Sequence, residues 1–242
     1  MPGLGTIVNA LAIVAGGIIG LFASGGLKKR YQEIITQAMA LSVMFMALAG
    51  VMAKMLVPDG DSFSTRGTFT LIFSLAIGAF VGEMINIDLR LDRFGEWLKK
   101  KSGNEKEAAF VNAFVTASLT VCIGAMAIIG SINDGIYADH SVLFTKAIMD
   151  FVIIIVMTAS LGKGCIFSAI PVALFQGSIT LLARLIEPLL TEAALGSISL
   201  VGSVLIFCIG INLLADGRFR IRVGNMLPSL IVAVVCSYLG VN

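Results

Sequence analysis

Two ionisable residues lie in the middle of a very apolar chain, at a spacing that could support ion chemistry. Lys146 and Asp150 are four residues apart, so on a helix they share one face and can form an ion pair. Ionisable side chains are expensive inside a lipid bilayer and commonly mark an ion or substrate pathway. We therefore predict Asp150 as a cation or proton site and Lys146 as its counter-charge. The alternative is an interfacial pair whose long lysine reaches out to water.

Amides and hydroxyls in the same region could bind a polar solute. Asn112, Thr116 and Thr120 recur every four residues and so follow one face of a helix. Further polar side chains follow on both sides of Lys146. The predicted substrate-binding residues are Asn112, Thr116, Ser118, Asn133, Asp134, Lys146, Asp150, Ser168 and Gln176.

Glycines on both sides of Lys163, followed by Pro171 and Gln176, indicate a helix that is interrupted within the membrane. Irregular backbone at membrane depth requires protein or water to satisfy its polar groups, and many transporters bind ions at such half-helix ends. The alternative is a tight turn at residues 161–164 with an ordinary proline kink beyond it. Asn9 and Asn212, in other apolar runs, are predicted to hydrogen-bond between helices.

The composition shows what kind of molecule must position these residues. Of 242 residues, 57% are hydrophobic and 13% are charged, whereas soluble domains are roughly 45–50% apolar and about 25% charged. A net charge of +2 excludes a strongly basic nucleic-acid binder. We expect an integral membrane protein whose surroundings are a lipid bilayer.

Eight stretches are long and apolar enough to approach the roughly 20 residues that a helix needs to cross the hydrocarbon. We therefore predict an all-α polytopic membrane protein, built of helical hairpins as a single transmembrane domain over residues 1–242. The predicted spans are 6–23, 35–56, 67–86, 109–131, 145–162, 165–187, 195–214 and 223–241.

Basic residues accumulate in the loops after spans one, three, five and seven, which hold thirteen of the 17. Lysine and arginine favour the cytoplasmic side, so both termini are predicted to face outward. These thirteen are Lys28, Lys29, Arg30, Arg90, Arg93, Lys99, Lys100, Lys101, Lys106, Lys163, Arg218, Arg220 and Arg222.

The segment 88–101 differs from the spans because it is amphipathic. Leu91, Phe94 and Leu98 share a helical face, Trp97 lies alongside, and the segment ends in three lysines. Such a helix lies along the inner membrane surface rather than crossing it. Docking of a cytoplasmic partner is the alternative interpretation.

Small residues recur at spacings that bring helices close together. Gly16 and Gly20 form a GxxxG pair, as do Gly78 and Gly82, which permits close backbone contact within or between protomers. A glycine also precedes a basic residue by eight positions three times, at Gly20–Lys28, Gly82–Arg90 and Gly210–Arg218. This favours parallel internal repeats, although any hairpin with positive cytoplasmic loops shares part of the pattern.

The sequence lacks the residues that multi-histidine metal sites, disulfide frameworks and common catalytic motifs require. His140 is the one histidine, and the four cysteines lie singly in apolar runs, so neither a multi-histidine metal site nor a disulfide framework is predicted. The HExxH, GxSxG and GK[ST] motifs are missing as well. We expect neither an enzyme nor a cofactor.

Four segments together resemble a bacterial inner-membrane family called domain of unknown function 554. They are residues 5–13 (GTIVNALAI), 117–135 (ASLTVCIGAMAIIGSINDG), 159–172 (ASLGKGCIFSAIPV, with Gln176 and Gly177) and 221–228 (IRVGNMLP). The resemblance implies a multi-span protein of the bacterial plasma membrane, of a kind labelled as transport proteins. Ala125 stands where the family pattern has proline, which puts a kink in span four in question.

Two function classes follow from these features. The first is a transporter or channel for an ion or small polar solute, with its polar site in spans four to six and a homo-oligomeric assembly. The second is a non-transporting membrane scaffold or subunit that docks a partner through residues 88–101.

Overall fold

The chain folds almost entirely into helices. The computed structural model describes residues 1–25, 28–59, 62–215 and 219–240. The helices are α1 (Leu4–Ser24), α2 (Lys29–Met55), α3 (Thr68–Ile85), α4 (Ile87–Lys101), α5 (Phe110–Cys122), α6 (Ala125–Ile136), α7 (Ser141–Leu161), α8 (Ala169–Leu181), α9 (Ala183–Ile186), α10 (Glu192–Ala215), α11 (Val223–Met226) and α12 (Ser229–Tyr238). Short 3-10 helices cover Lys163–Ser168 and Glu187–Leu189.

The helices have the lengths that a membrane requires. Within the described residues, six are long and apolar enough to cross a bilayer: α1, α2, α3, α7, the segment Lys163–Leu181, and α10. The α5–α6 pair passes the same test when it is taken together, and Val223–Tyr238 is apolar but shorter. The all-α polytopic membrane fold is therefore confirmed. The count of eight spans is not confirmed.

The predicted fourth span is bent at a position that has no proline. Helices α5 and α6 meet at 63° across Ile123 and Gly124. Gly124 has φ 154°, a backbone conformation that L side chains rarely adopt. A glycine rather than a proline thus interrupts this span, which was predicted as continuous over 109–131.

The interruption predicted around Lys163 is a different structure. Gly162, with φ 100°, ends α7, and a 3-10 helix connects it to α8. Pro171 lies in the first turn of α8 and does not break it, because the first turn has no intrahelical use for the missing N–H. The chain therefore turns at 161–164, as in the alternative interpretation, but has no helix break at Pro171.

The connection between α2 and α3 is a small feature that the sequence did not indicate. Strands β1 (Leu56–Asp59) and β2 (Ser62–Thr65) pair antiparallel, with Leu56 opposite Thr65. Arg218 and the end of the predicted span 223–241 lie outside the described residues.

Two compact units make up the chain, and the first contains residues Met1–Met39 and Arg90–Glu187. Its main packing is α1 against α7. A Cβ built at Gly16 would lie 2.6 Å from the Phe151 carbonyl oxygen, so only glycine allows this approach. The GxxxG pair of α1 thus packs within one protomer.

The second unit contains Ala40–Leu89 and Pro188–Asn242. In it α3 packs against α11 and α12, and α10 packs against α12. Gly78 meets Ser229, and Gly82 meets the Asn225 backbone, so the second GxxxG pair is also an internal contact. The single transmembrane domain and the parallel repeats stay predictions.

The amphipathic segment forms helix α4 with one face packed. Gly95 and Leu98 are buried, and the Phe94 ring meets the edge of Phe114, with the ring centroids 5.8 Å apart. Trp97 is 55% exposed and stacks on Phe94. Whether this face lies on lipid or docks a partner stays a prediction.

Candidate functional site

A buried ion pair lies within the first unit, on α7. Lys146 Nζ lies 2.5 Å from Asp150 Oδ2, one turn further along α7, and their side chains are 10% and 5% exposed. Their spacing on the helix sets this pairing locally. The sequence prediction of a Lys146–Asp150 pair on one helical face is met, and the pair is buried rather than turned outward to water.

Two amides from distant parts of the chain complete the surroundings of Asp150. Asn9 of α1 donates from Nδ2 to Asp150 Oδ2 at 3.0 Å and to Gln176 Oε1 of α8 at 3.3 Å. Asn9 is fully buried and Gln176 is 1% exposed. Three helices, α1, α7 and α8, therefore meet at one polar cluster.

The bend between α5 and α6 supplies a backbone acceptor. Lys146 Nζ donates to the Val121 carbonyl at 2.8 Å. In a continuous helix this carbonyl would accept from residue 125, but the chain turns at Gly124 before that residue. The C-terminal end of a helix also carries partial negative charge, which favours a cation there. The carbonyl that the helix break leaves without an intrahelical donor thus accepts from the Lys146 ammonium.

The cluster is not internally complete. Asn9 Oδ1 and Gln176 Nε2 are buried and have no hydrogen-bond partner within the described part of the chain. The amide orientation follows from the partners, because an ionised carboxylate and the Gln176 oxygen can only accept from Asn9. One buried acceptor and one buried donor therefore remain open next to an ion pair. We call Asn9, Lys146, Asp150, Gln176 and the Val121 carbonyl the polar cluster.

Two further polar contacts lie toward the start of α1. Thr6 and Thr180 have their hydroxyl oxygens 3.5 Å apart, about one turn from Asn9 and Gln176. Asp134 is fully buried and lies 2.6 Å from Nδ1 of His140, and its Oδ2 has no partner among the described residues. Polar groups therefore continue from the cluster toward the end of the unit where α1 begins.

The remaining predicted site residues make their hydrogen bonds locally. Ser118 donates to the Phe114 carbonyl at 2.6 Å, and Ser168 donates to the Cys165 carbonyl at 2.7 Å. Asn112 is exposed and accepts from Thr116 at 3.5 Å. Asn133 is half-buried. Of the nine predicted residues, the structure gathers Lys146, Asp150 and Gln176 into the polar cluster.

Asn9 and the Val121 carbonyl belong to the polar cluster but were not among the predicted site residues. Asn9 was predicted to bond between helices, and it does so, to Asp150 and Gln176. Asn212 instead holds a loop, since its side chain bonds both the N–H and the carbonyl of Ile221. A lone amide within an apolar span was the available signal for Asn9. The sequence carries no signal for a carbonyl that a helix break exposes.

The second unit has a polar network of a different kind, which joins α3 and α4 to α11. We call Glu83, Asp88, Arg220, Gly224 and Asn225 the Asp88 knot. Asp88 Oδ1 accepts from the Gly224 N–H at 2.9 Å, and its Oδ2 pairs with Arg220 at 3.1 Å. Asn225 accepts from the Asp88 N–H at 2.7 Å and donates to Glu83 at 2.7 Å. These bonds join chain turns rather than the middles of spans.

Metal-binding side chains do not gather in the residues that the structure describes: no group of three or more His, Cys, Asp or Glu could hold an ion. All four cysteines are free thiols. A cation at the polar cluster would therefore depend mainly on backbone and amide oxygens, with one carboxylate.

Nearly the whole chain is similar to one protein family and to two bacterial relatives. The family described as "Protein of unknown function (DUF554)" matches residues 4–238. "Uncharacterized membrane protein YdfK" of Bacillus subtilis is 30% identical over 96% of this chain and 94% of its own length. "Uncharacterized protein YqgA" of Escherichia coli is 25% identical, over 97% of this chain and 96% of its own. No solved structure matches the chain. The chain belongs to the DUF554 family.

Proposed function

We propose that this member of the DUF554 family is a transporter or channel that moves an ion or a small polar solute across the bacterial plasma membrane. The observation that carries the proposal is the buried Lys146–Asp150 pair, which lies at a broken helix beside two amides with open hydrogen-bonding capacity. Broken helices that present carbonyls to a polar site are a common way for transporters to hold their ions and solutes.

Stability alone is a poor reason for such a pair. Removing two charges from water costs several kcal/mol per ion, and well-packed apolar side chains of similar volume are often at least as stabilising. Two buried amide atoms without partners add a further cost of about 1–3 kcal/mol each. Groups that are kept at this cost inside a membrane are expected to serve a pathway.

In this proposal each group of the polar cluster has a role. Asp150 is the cation or proton site, Lys146 is its counter-charge, and the open atoms of Asn9 and Gln176 bind the passing species. Thr6 and Thr180 would line the approach from the start of α1. The other predicted ligands, Asn112, Thr116, Ser118, Asn133, Asp134 and Ser168, stay predictions.

The setting belongs to the same proposal. The chain would lie in the inner membrane with both termini outside, in a lipid bilayer and as a homo-oligomer. It would carry no enzymatic activity.

Flux through reconstituted protein tests the proposal. Purified chain in proteoliposomes is loaded with a panel of ions and small polar solutes, and the wild type is compared with Asp150→Asn. We expect a solute-specific flux that falls more than about tenfold in the variant, since one charge and its pairing are lost.

Glu105→Gln provides the matched control. It makes the same acid-to-amide change on an exposed residue of the same unit and should leave the flux unchanged. Solute-specific flux that survives Asp150→Asn would remove Asp150 from the site. No flux of any tested species above that of empty liposomes would contradict the proposal.

A membrane scaffold is the second candidate, and the exposed Trp97 on α4 favours it. An exposed tryptophan next to Lys99, Lys100 and Lys101 suits either a lipid surface or a partner. Affinity capture from native membranes separates the two functions. A stoichiometric second protein that Trp97→Ala releases would favour the scaffold, whereas recovery of the homo-oligomer alone would favour transport.

A further inference from the structure

We infer that the Lys146 ammonium occupies a binding site for a monovalent cation, and that such a cation takes its place when the lysine side chain withdraws. This inference rests on the proposed function and specifies its substrate or coupling ion as a small alkali cation.

The contacts of the ammonium are those of a small cation bound by oxygens. Lys146 Nζ bonds the Val121 carbonyl at 2.8 Å and Asp150 Oδ2 at 2.5 Å. A carbonyl and a carboxylate are hard oxygen ligands, and rings of such oxygens replace the hydration shell of alkali cations in channels. The ammonium thus holds a position that is built from cation ligands.

The Asn9 amide, which contacts Asp150, carries a third oxygen. Its Oδ1 is fully buried and has no partner in the described ranges. It belongs to the same amide whose Nδ2 lies 3.0 Å from Asp150 Oδ2. If the Asn9 and Gln176 amides both turned by half a turn, the Asn9 oxygen would face a cation bound at the carboxylate, and Gln176 Nε2 would become its donor in place of the present Asn9 Nδ2 to Gln176 Oε1 bond. The open acceptor is the observation that a structural ion pair alone does not explain.

The charge of the cluster selects a single positive charge. Asp150 and Lys146 sum to zero, and a monovalent cation in place of the ammonium keeps that balance. A divalent cation would leave one uncompensated charge in a medium where charges interact strongly. The end of α5 adds only a partial negative charge, roughly half an elementary charge at most.

The Lys146 side chain is long enough to extend from the cluster toward the start of α7. It lies five residues after Ser141, the first residue of α7, which is about 7–8 Å along the helix axis. A lysine side chain of this length can extend toward a helix end and place its charge at the membrane surface. The exchange of ammonium for cation would therefore begin with a change of the Lys146 rotamer toward the start of α7.

A binding experiment without a gradient tests the inference. Lys146→Met removes the ammonium and retains most of the volume. Its thermal unfolding is followed at about pH 8.5, where an ordinary carboxyl is ionised, in lithium, sodium, potassium or N-methylglucamine chloride at equal ionic strength. We expect one alkali cation to raise the melting temperature of Lys146→Met saturably, by roughly 5–10 °C at about 100 times its Kd.

Two further variants make the result specific. Lys146→Met combined with Asp150→Asn carries the same methionine without the carboxylate, and should show no cation-specific shift. Lys146→Met combined with Asn9→Leu should need a higher cation concentration for the same shift, by about tenfold or more, because one oxygen ligand is lost.

The inference is overturned if Lys146→Met responds to all four salts alike, or if the variant without the carboxylate responds equally. It is also overturned if Lys146→Met and Lys146→Gln both fail to fold in every alkali salt, because a bound cation should substitute for the ammonium. Recovery of folded Lys146→Met only in one alkali salt would support it.

The two proposals fail separately. Asp150-dependent flux of the wild type with no cation binding by Lys146→Met would leave transport intact and remove the cation site. Cation binding by Lys146→Met, with no flux in wild-type liposomes, would leave a cation site in a protein that does not transport.

Discussion

The two units handle buried polar groups in opposite ways. In the first unit four residues each have a buried side-chain atom without a hydrogen-bond partner among the residues described, namely Asn9, Asp134, Thr158 and Gln176. In the second unit no buried side-chain atom of the described residues lacks a partner. The Asp88 carboxylate of the second unit accepts from the Gly224 N–H and pairs with Arg220. The polar cluster lies between helices, while the Asp88 knot lies at chain turns.

This difference suggests that the polar cluster serves ligand binding and that the Asp88 knot serves the stability of the fold. A buried network in which every member is satisfied rigidifies a fold, and a network with open donors and acceptors is costly unless a ligand completes it. We therefore expect changes in the polar cluster to act on flux, and changes in the Asp88 knot to act on folding. The predictions below test this division, from the largest expected effect to the smallest.

Replacing the whole ion pair should abolish flux and leave stability almost unchanged. Lys146→Met combined with Asp150→Leu removes both charges, and apolar replacement of a buried pair is often neutral or stabilising. We expect flux at the level of empty liposomes and a free energy of unfolding within about 1 kcal/mol of the wild type. Denaturant titration in detergent, beside the flux assay, measures both. If the double variant fails to fold although it carries neither charge, the Lys146–Asp150 pair is needed for folding and the prediction is wrong.

Breaking the Asp88 knot should lower the free energy of unfolding and leave the flux almost unchanged. Asp88→Ala removes a buried carboxylate but leaves Arg220, whose side chain is 41% exposed, able to reach water. We expect a loss of about 2–3 kcal/mol, or roughly 5–10 °C in melting temperature. The flux of the protein that remains folded should be close to that of the wild type. A stable Asp88→Ala protein without flux would contradict the division between the units.

Straining the bend of the fourth span should lower both the flux and the free energy of unfolding moderately. Gly124→Ala places a side chain at φ 154°, where open space surrounds the Cβ, so the cost of about 1–3 kcal/mol is purely conformational. Relaxation of the bend would also move the Val121 carbonyl from Lys146 and lower the flux. Gly196→Ala in α10 meets open space without positive φ and should stabilise by up to about 1 kcal/mol. Equal effects of the two changes would show that the bend is unimportant.

The smallest effect concerns a carboxylate at the start of α7. The Ser141 hydroxyl and backbone N–H donate to Asp139 and hold the pKa of its carboxyl below the usual value. Ser141→Ala should raise that pKa toward the usual value, as measured by the carbon chemical shift of the Asp139 carboxyl during a pH titration. Because the pKa is lowered in the folded state, the stabilisation it provides is lost as pH falls through it. An unchanged pKa would show that the backbone bond alone sets it.

Much of the fold could be predicted from local features of the sequence. Hydropathy placed every long helix, because a bilayer requires each span to satisfy its own backbone with about 20 apolar residues. The pairing of Lys146 with Asp150 follows from a spacing of four residues. The break at Gly124 did not follow, because glycine is compatible with a continuous helix and no proline marks the position.

The amino-acid sequence by itself determined a helical membrane protein, the approximate spans, and a charged pair on one face of α7. Only the tertiary structure decided that Asn9 meets Asp150, 141 residues away, and Gln176, 167 residues away. It also decided that the Val121 carbonyl turns toward Lys146. The reason is physical: helix formation and membrane insertion depend on neighbours a few residues apart, whereas a polar cluster forms only where packing brings distant helices together.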